Sequence, residues 1–195
     1  MKRYLIAIIL INMIISACAP PVAIVAAPVA TNTVYDDRTL TTIYQDEGIT
    51  HQAFGLFKEN KKLASSNLNV ISVNNLVLLV GQVSSEDLKQ QAYLEVSSIP
   101  EVKKVYNKIT VEKPTSTIVR SNDTWLTTKV KAAMLAENGL ASSQIRVLTE
   151  NSTVYLLGIV SKAEAESAVE VARKVKGVKK VVKLFQIKTE KLVTK

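Results

Sequence analysis

The stretch LASSNLNVISVNNLVLLVGQV (63–83) aligns without a gap over LASSQIRVLTENSTVYLLGIV (140–160), at a constant offset of 77 residues. The offset places Val70 on Val147 and Gly81 on Gly158. After one single-residue gap, VKKV (102–105) falls on VKKV (178–181). A long repeat present in only two copies indicates two duplicated domains rather than a solenoid.

Both copies show the same order of predicted elements. An amphipathic helix (about 44–60, and 123–137) comes first, followed by two strands that meet at Asn74-Asn75 or Asn151-Ser152, where Asn tolerates the positive φ of a hairpin turn. A second helix follows, with apolar residues at helical spacing, and then a last strand that alternates apolar and polar residues. This αββαβ order predicts an α+β fold, with two helices on one face of a three-stranded mixed sheet.

The N-terminal residues are typical of an exported chain. Lys2 and Arg3 precede an apolar run that is shorter than the roughly 20 residues a bilayer span needs, so residues 1–17 are interpreted as a signal peptide. Ile15-Ser16-Ala17-Cys18 resembles the bacterial lipobox, which implies acylation of Cys18 and cleavage before it. The alternative is an ordinary signal peptide with an incidental Cys. Cys18 is the only cysteine, so no disulfide and no Cys-based metal site is expected.

The remaining boundaries follow from composition and from the repeat. The Ala-, Pro- and Val-rich stretch after Cys18 is typical of an extended tether. The predicted organisation is a lipidated Cys and tether (18–38), domain 1 (39–112), a linker (113–122), domain 2 (123–190) and a C-terminal tail (191–195).

The two copies differ strongly in charge. Residues 39–112 contain 7 Lys or Arg against 8 Asp or Glu, whereas residues 123–195 contain 13 against 7, for net charges of −1 and +6. A basic surface attracts nucleic acid or anionic membrane. An exported lipoprotein rarely meets nucleic acid, so we expect an anionic phospholipid membrane as the partner of domain 2.

Trp125 is the only tryptophan, and its position differs from that of a core residue. With Asn122 or Asp123 as N-cap, it would lie in the first turn of the helix, beside the stripe that faces the sheet. A Trp there suits the boundary between lipid headgroups and acyl chains. The N–H groups of the helix start are a further candidate site for a phosphate, which Asp123 partly opposes because it would compete for those donors and repel an anion. Gly48 occupies the equivalent position in domain 1, so the fold does not require Trp125. Packing of Trp125 against domain 1 or the linker is the alternative.

The repeat resembles the BON domain in the glycine that ends the second strand, Gly81 or Gly158, and in the VKKV entry to the last strand. With lipobox and tether, the chain resembles the dual-BON outer-membrane lipoproteins of Gram-negative bacteria. That resemblance implies a lipid anchor in the inner, periplasmic leaflet of the outer membrane, and a role in envelope integrity and at division sites. Ala19 after the lipidated Cys also implies sorting to the outer membrane. The phospholipid-binding residues implied are Asp123, Thr124, Trp125, Thr128, Lys129, Val130 and Ala132.

Other residue patterns do not indicate chemistry. His51 is the only histidine, and no Ser, His and Asp constellation or metal-ligand spacing is present, so we expect no enzyme, no catalytic residue, no metal and no cofactor. Lys103-Lys104 and Lys179-Lys180 are equivalent in the two copies and are interpreted as solvated strand-edge residues. A contribution to membrane attraction is considered only for Lys179 and Lys180, as a secondary one. The alternative function is an envelope-stress or assembly factor whose basic domain 2 binds an acidic protein, with Trp125 as the hot spot.

Overall fold

The structure is a computed structural model that describes residues 39–188. The predicted signal peptide, the lipidation of Cys18, the tether and the C-terminal tail lie outside the described residues. Within residues 39–188, no helix combines the length and the apolar character that a bilayer-spanning segment needs.

Domain 1 consists of α1 (Leu40–Glu59), β1 (Asn67–Val73), β2 (Leu76–Val83), α2 (Glu86–Ser97) and β3 (Lys104–Val111). The central strand β2 pairs antiparallel with β1 and parallel with β3. Both helices bury apolar residues against one face of this mixed sheet. The predicted αββαβ order is therefore confirmed for domain 1.

Domain 2 repeats the same topology. Its elements are α3 (Thr117–Ala136), a 3-10 turn (Ser142–Gln144), β4 (Ile145–Glu150), β5 (Thr153–Val160), α4 (Lys162–Lys174) and β6 (Lys180–Ile187). Strand β5 is central, antiparallel to β4 and parallel to β6, and its inner face packs with α3 and α4 in a second core. The α+β fold predicted from the repeat is confirmed in both domains.

The first helix of each domain begins earlier than predicted. The hydroxyl of Ser116 accepts the N–H of Val119 and caps α3, so residues 117–122, assigned to the linker from sequence, are helical. Thr39 caps α1 in the same way, 77 residues before Ser116. The predicted N-cap at Asn122 or Asp123 is wrong, because these residues lie within the helix.

Both predicted hairpin turns are confirmed, since Asn74 and Asn75 have φ of 53° and 64°, and Asn151 and Ser152 have φ of 47° and 60°. Each turn is held by a buried carboxylate from the first helix of its own domain. Asp46 accepts the N–H groups of Asn74 and Asn75 at 2.8 and 2.9 Å. This contact fastens the helix to the hairpin independently of apolar packing.

The two sheets pack against each other through the faces that do not carry helices. Val73, Leu78, Val80 and Leu157 are buried in this layer. Partly buried side chains from both domains surround them: Ile71, Tyr106, Leu148, Tyr155, Ile159 and Leu184. The described residues therefore form four layers, helices, sheet, sheet and helices, and the outer faces of α1 and α3 belong to opposite helical layers.

One edge of this sheet-to-sheet layer is polar. Glu150 is 7% exposed, and its carboxylate accepts amide N–H groups from Asn67, Asn69 and Gln82 of domain 1 at 2.8–3.0 Å. Burial raises the pKa of Glu150 above its ordinary value of 4.5, and the amide donors only partly offset that rise. Elsewhere at the domain boundary, Arg146 forms an ion pair with Glu47.

Candidate functional site

The outer face of α3 exposes three apolar residues that are seven positions apart. Ile118 is 82% exposed, Trp125 is 60% exposed, and Ala132 is also exposed. Seven residues are about two helical turns, so these three side chains lie in one row along the helix. Leu135, 69% exposed, widens the apolar face near the end of α3. Trp125 is thus part of an apolar surface that nothing covers within the described part of the chain.

Lys129 lies one turn beyond Trp125 and connects two parts of domain 2. Its Nζ is 6.0 Å from the centroid of the Trp125 ring, at the outer limit of a cation–π interaction. The same Nζ donates to the backbone carbonyl of Lys176 at 2.9 Å. That carbonyl belongs to the turn between α4 and β6. The hydrogen-bond partner of Lys129 is therefore a neutral carbonyl, and no carboxylate within the described residues offsets the positive charge beside Trp125.

Two hydroxyls of the predicted site are turned toward the helix backbone. Thr124 donates to the carbonyl of Arg120 at 3.0 Å, and Thr128 donates to the carbonyl of Thr124 at 3.1 Å. Because both hydroxyl donors are already used within the helix, these exposed residues do not need water or a lipid headgroup as an acceptor. Both residues are exposed, as the sequence-based assignment requires of groups that contact a lipid.

Asp123 does not lie on this surface. It is 4% exposed, and its two carboxylate oxygens accept the N–H groups of Asn151 and Ser152, each at 2.8 Å. Asp46 makes the equivalent contacts in domain 1. The assignment of Asp123 as a lipid-contacting residue is therefore corrected: its carboxylate holds the hairpin of its own domain and is not available to a headgroup.

Val130 is also corrected. It is fully buried and packs in the core between α3 and the sheet of domain 2. Its position follows from helix geometry, since Val130 lies five residues, or about 500° of rotation, from Trp125 and so faces inward. Of the seven residues implied by the resemblance, the structure brings five to the outer face of α3: Thr124, Trp125, Thr128 and Ala132 are exposed, and Lys129 is half-buried.

The predicted attraction of a phosphate to the helix start beside Trp125 is wrong. The helix begins at Thr117, and Trp125 lies about two turns later. Backbone N–H groups near Trp125 are therefore within the helix, where they bond carbonyls of the preceding turn. Any anion at this face would depend on side-chain charge.

Charge on α3 is suited to an anionic surface. Between Thr117 and Ala136 the only acid is Asp123, which is buried, whereas Arg120, Lys129 and Lys131 are basic. In domain 1, α1 carries Gly48 in place of Trp125 and Gln52 in place of Lys129. The two helices occupy equivalent places in their domains, so their outer surfaces differ without any difference in fold.

Sequence reasoning missed Ile118 and Leu135. Ile118 was assigned to the linker because the pattern Ser121-Asn122-Asp123 resembles a helix start. Extending the repeat backward would have found it, because Thr39 and Ser116 are both capping hydroxyls separated by the same offset of 77. Leu135 carries no comparable signal, since an apolar residue near a helix end is more often buried.

A shallow groove of about 400 Å³ lies at the domain boundary, lined by Arg120, Lys131, Asn69 and Glu150 among others. Trp125 does not line it. The described residues contain no group of three or more His, Cys, Asp or Glu side chains that could hold a metal ion. The outer face of α3 is therefore the candidate site that the geometry supports best.

Comparison with known proteins agrees with the internal repeat. The model of the BON domain family matches residues 45–113 and 122–189, one match for each structural domain. These two segments cover well over half of the chain.

Three relatives span most of the chain. Outer membrane lipoprotein DolP of Haemophilus influenzae is 37% identical over 163 residues, which are 83% of this chain and 82% of that protein. The 21 kDa hemolysin of Actinobacillus pleuropneumoniae is 33% identical over 151 residues, 77% of this chain and 78% of that protein. Osmotically-inducible protein Y of Escherichia coli is 28% identical over 139 residues, 70% and 69% of the two chains. The chain belongs to the BON domain family, with two BON domains in tandem.

Proposed function

We propose that this protein is a lipid-anchored protein of the outer membrane that binds anionic phospholipid through the outer face of α3. The observation that carries the proposal is Trp125, which is 60% exposed within an apolar row where the equivalent residue of domain 1 is Gly48. Support for the location comes from the lipobox at Cys18 and from the similarity to an outer membrane lipoprotein.

The face of α3 combines the two features that interfacial membrane binding needs. Trp125 has a large apolar ring and one N–H donor, which suits the zone between headgroups and acyl chains. Lys129 lies beside it and contributes about 1 kcal/mol near an anionic leaflet, a contribution that decreases as salt increases. Neutral lipid would offer the Trp interaction without the charge interaction, and so we expect anionic lipid to be preferred.

The anchor and the α3 face would act together. A chain of about 20 residues separates Cys18 from the start of α1, and an extended chain spans up to about 3.3 Å per residue. This length exceeds the thickness of the four layers, at roughly 10 Å per layer contact. Domain 2 is thus able to face the leaflet that holds the anchor, at a high effective concentration. Support of outer-membrane integrity, including at division sites, is the cellular role that we assign to this contact.

The test uses the chain without residues 1–18, because the lipid anchor would attach the protein to any vesicle. Vesicles of phosphatidylcholine alone are compared with vesicles that also contain phosphatidylglycerol, at low and at moderate salt. Trp125 is the only tryptophan, so its fluorescence reports this site directly. We expect a blue shift and co-flotation with the anionic vesicles only.

Two variants make the assignment specific. Trp125→Glu should weaken flotation roughly tenfold or more, since about 1.4 kcal/mol corresponds to tenfold. The double variant Trp125→Glu with Gly48→Trp moves the Trp to the equivalent position of domain 1. A side chain fits there, because a Cβ added to Gly48 would have no other atom within 4 Å. This double variant should show neither flotation nor a blue shift. If wild type fails to bind anionic vesicles at low salt, the proposal is wrong, and Trp125 becomes the candidate hot spot of a protein interface.

A further inference from the structure

The turn that joins α4 to β6 in domain 2 is a second basic element beside α3. Residues 173–180, which we call the turn 173–180, include the last two residues of α4 and the first residue of β6, and they read RKVKGVKK. Five of these eight residues are cationic: Arg173, Lys174, Lys176, Lys179 and Lys180. Arg173 forms an ion pair with Glu170 at 2.9 Å. The four lysines contact no carboxylate within the described residues. Their charge is therefore available to an external anion.

The turn is packed against α3 by two contacts. The carbonyl of Lys176 accepts the Nζ donor of Lys129 at 2.9 Å. Gly177 has φ of 108°, and a Cβ built on it would lie 3.0 Å from Cδ2 of Leu126, the neighbour of Trp125. A glycine is needed here both for the left-handed backbone and for the close approach to α3. These contacts hold the backbone of the turn against α3, the helix on which Trp125 is exposed.

Domain 1 provides a comparison at the same place in the fold. Lys104 pairs with Leu76 and Lys180 pairs with Thr153 at equivalent points of the two sheets, so the turns align through these residues. The residues of domain 1 that align with Arg173, Lys174, Lys176 and Gly177 are Ser97, Ser98, Pro100 and Glu101. At these four aligned positions, domain 2 has three positive charges and domain 1 has one negative charge. Domain 2 therefore has both an exposed Trp on its first helix and a basic turn beside that helix, and domain 1 has no Trp and less positive charge at the equivalent places.

We propose that the turn 173–180 is the second part of the lipid-binding surface, where Lys174, Lys176, Lys179 and Lys180 bind the phosphates of an anionic bilayer while Trp125 enters its interface. The inference rests on the function proposed above and adds the residues that select for charge. A bilayer is favoured over a single headgroup because the four lysines are exposed and are distributed along residues 174–180. Such a surface responds to the density of anionic lipid rather than to one headgroup structure.

The experiment compares two pairs of substitutions that remove the same charge. Lys174→Gln with Lys176→Gln changes the turn of domain 2, and Lys103→Gln with Lys104→Gln changes the aligned turn of domain 1. All four lysines are exposed, so both variants should melt like wild type. Flotation of the chain without residues 1–18 is measured on phosphatidylglycerol-containing vesicles over a range of salt, together with Trp125 fluorescence.

We expect the domain 2 variant to bind roughly thirty-fold more weakly at low salt, since about 1 kcal/mol per lysine is lost. Its affinity should also depend less on salt, and its blue shift at saturating vesicle concentration should remain, because Trp125 is unchanged. The domain 1 variant should bind within about twofold of wild type.

Different failures separate the two proposals. Equal weakening by the two pairs would show a general effect of net charge and overturn the role of this turn. Wild-type binding by the domain 2 variant, with loss of binding in Trp125→Glu, would overturn the turn proposal and leave the α3 proposal standing. Absence of wild-type binding to any anionic vesicle would overturn both, and capture of an acidic protein by these lysines would then be the remaining explanation for their unpaired charge.

Discussion

The two BON domains of this chain have the same internal framework and different outer surfaces. Thr39 and Ser116 cap equivalent helices, and Asp46 and Asp123 hold equivalent hairpin turns. The exposed positions differ, most clearly where Gly48 of α1 corresponds to Trp125 of α3. Buried groups are restricted by packing and by the need to satisfy hydrogen bonds, whereas exposed groups can change at little cost in stability. The comparison thus separates what holds the fold from what serves a partner.

The domain boundary shows where the duplication is not symmetric. Val73 of domain 1 is buried in the apolar layer between the sheets, and the residue 77 positions later is Glu150, whose carboxylate accepts amide donors from the other domain. At this pair of equivalent positions, domain 1 therefore has an apolar side chain, Val73, and domain 2 has a carboxylate, Glu150. We infer that the polar edge determines how the sheets are oriented, because its hydrogen bonds are directional and apolar packing is not.

The largest effect that we expect from a comparison of the two domains is at Gly81 and Gly158, which lie within the central strands β2 and β5. A Cβ on Gly81 would lie 1.8 Å from the carbonyl oxygen of Asn67, and the φ of Gly81 is 128°. Gly81→Ala should therefore lower the free energy of unfolding by roughly 3 kcal/mol or more. Gly158→Ala, with a Cβ 2.4 Å from the carbonyl oxygen of Gln144 and no positive φ, should cost less.

Chemical denaturation of both variants measures the difference. Gly55→Ala is the control, because a Cβ there meets nothing within 4 Å and an alanine favours the helix by about 0.5–1 kcal/mol. Equal destabilisation by the two strand substitutions would contradict the inferred asymmetry between the domains.

A smaller effect is expected at the buried aspartates. Asp123→Ala leaves the N–H groups of Asn151 and Ser152 without their acceptor and should cost about 2 kcal/mol, and Asp46→Ala should cost a similar amount in domain 1. Hydrogen exchange of each hairpin measures the loss domain by domain. Asp87→Ala, at an exposed position in the first turn of α2, is the control.

Lipid flotation of Asp123→Ala at a temperature where the variant remains folded gives a second result. Binding close to wild type is expected, because the carboxylate faces the hairpin and not the bilayer. A loss of binding as large as that of Trp125→Glu, in folded protein, would restore Asp123 to the lipid-contacting surface.

The smallest effect is a pH dependence from Glu150. Burial raises the pKa of this carboxyl in the folded protein, so the folded state binds a proton more readily than the unfolded state does. The free energy of unfolding should therefore fall as the pH rises from about 4.5 through the raised pKa, which is the opposite of the usual carboxylate behaviour. Subtracting the profile of Glu150→Gln from that of wild type isolates this contribution. A difference that increases with pH across this window would contradict the burial argument.

Much of the fold was predictable from the repeat. Alignment of the two copies predicted the αββαβ order and both hairpin turns, because these features depend on local spacing and backbone conformation. The prediction that Gly81 and Gly158 end the second strands is wrong, because β2 and β5 each continue for two residues beyond the glycine. The exposed position of Trp125 followed from its place beside the apolar stripe of its helix. Thr124, Thr128 and Ala132 were also assigned to the surface and are exposed in the structure, and Lys129 is half-buried beside them.

The tertiary structure decided the points that depend on distant partners. From sequence, Asp123 fits a helix cap as well as it fits a contact with a hairpin 28 residues away, and only the folded chain selects between them. The packing of the two sheets and the place of the lysine turn beside α3 also involve residues far apart in the chain. Local propensity and periodicity thus determined which elements form in this protein, whereas side-chain contacts between elements determined which polar groups are used internally and which remain for a partner.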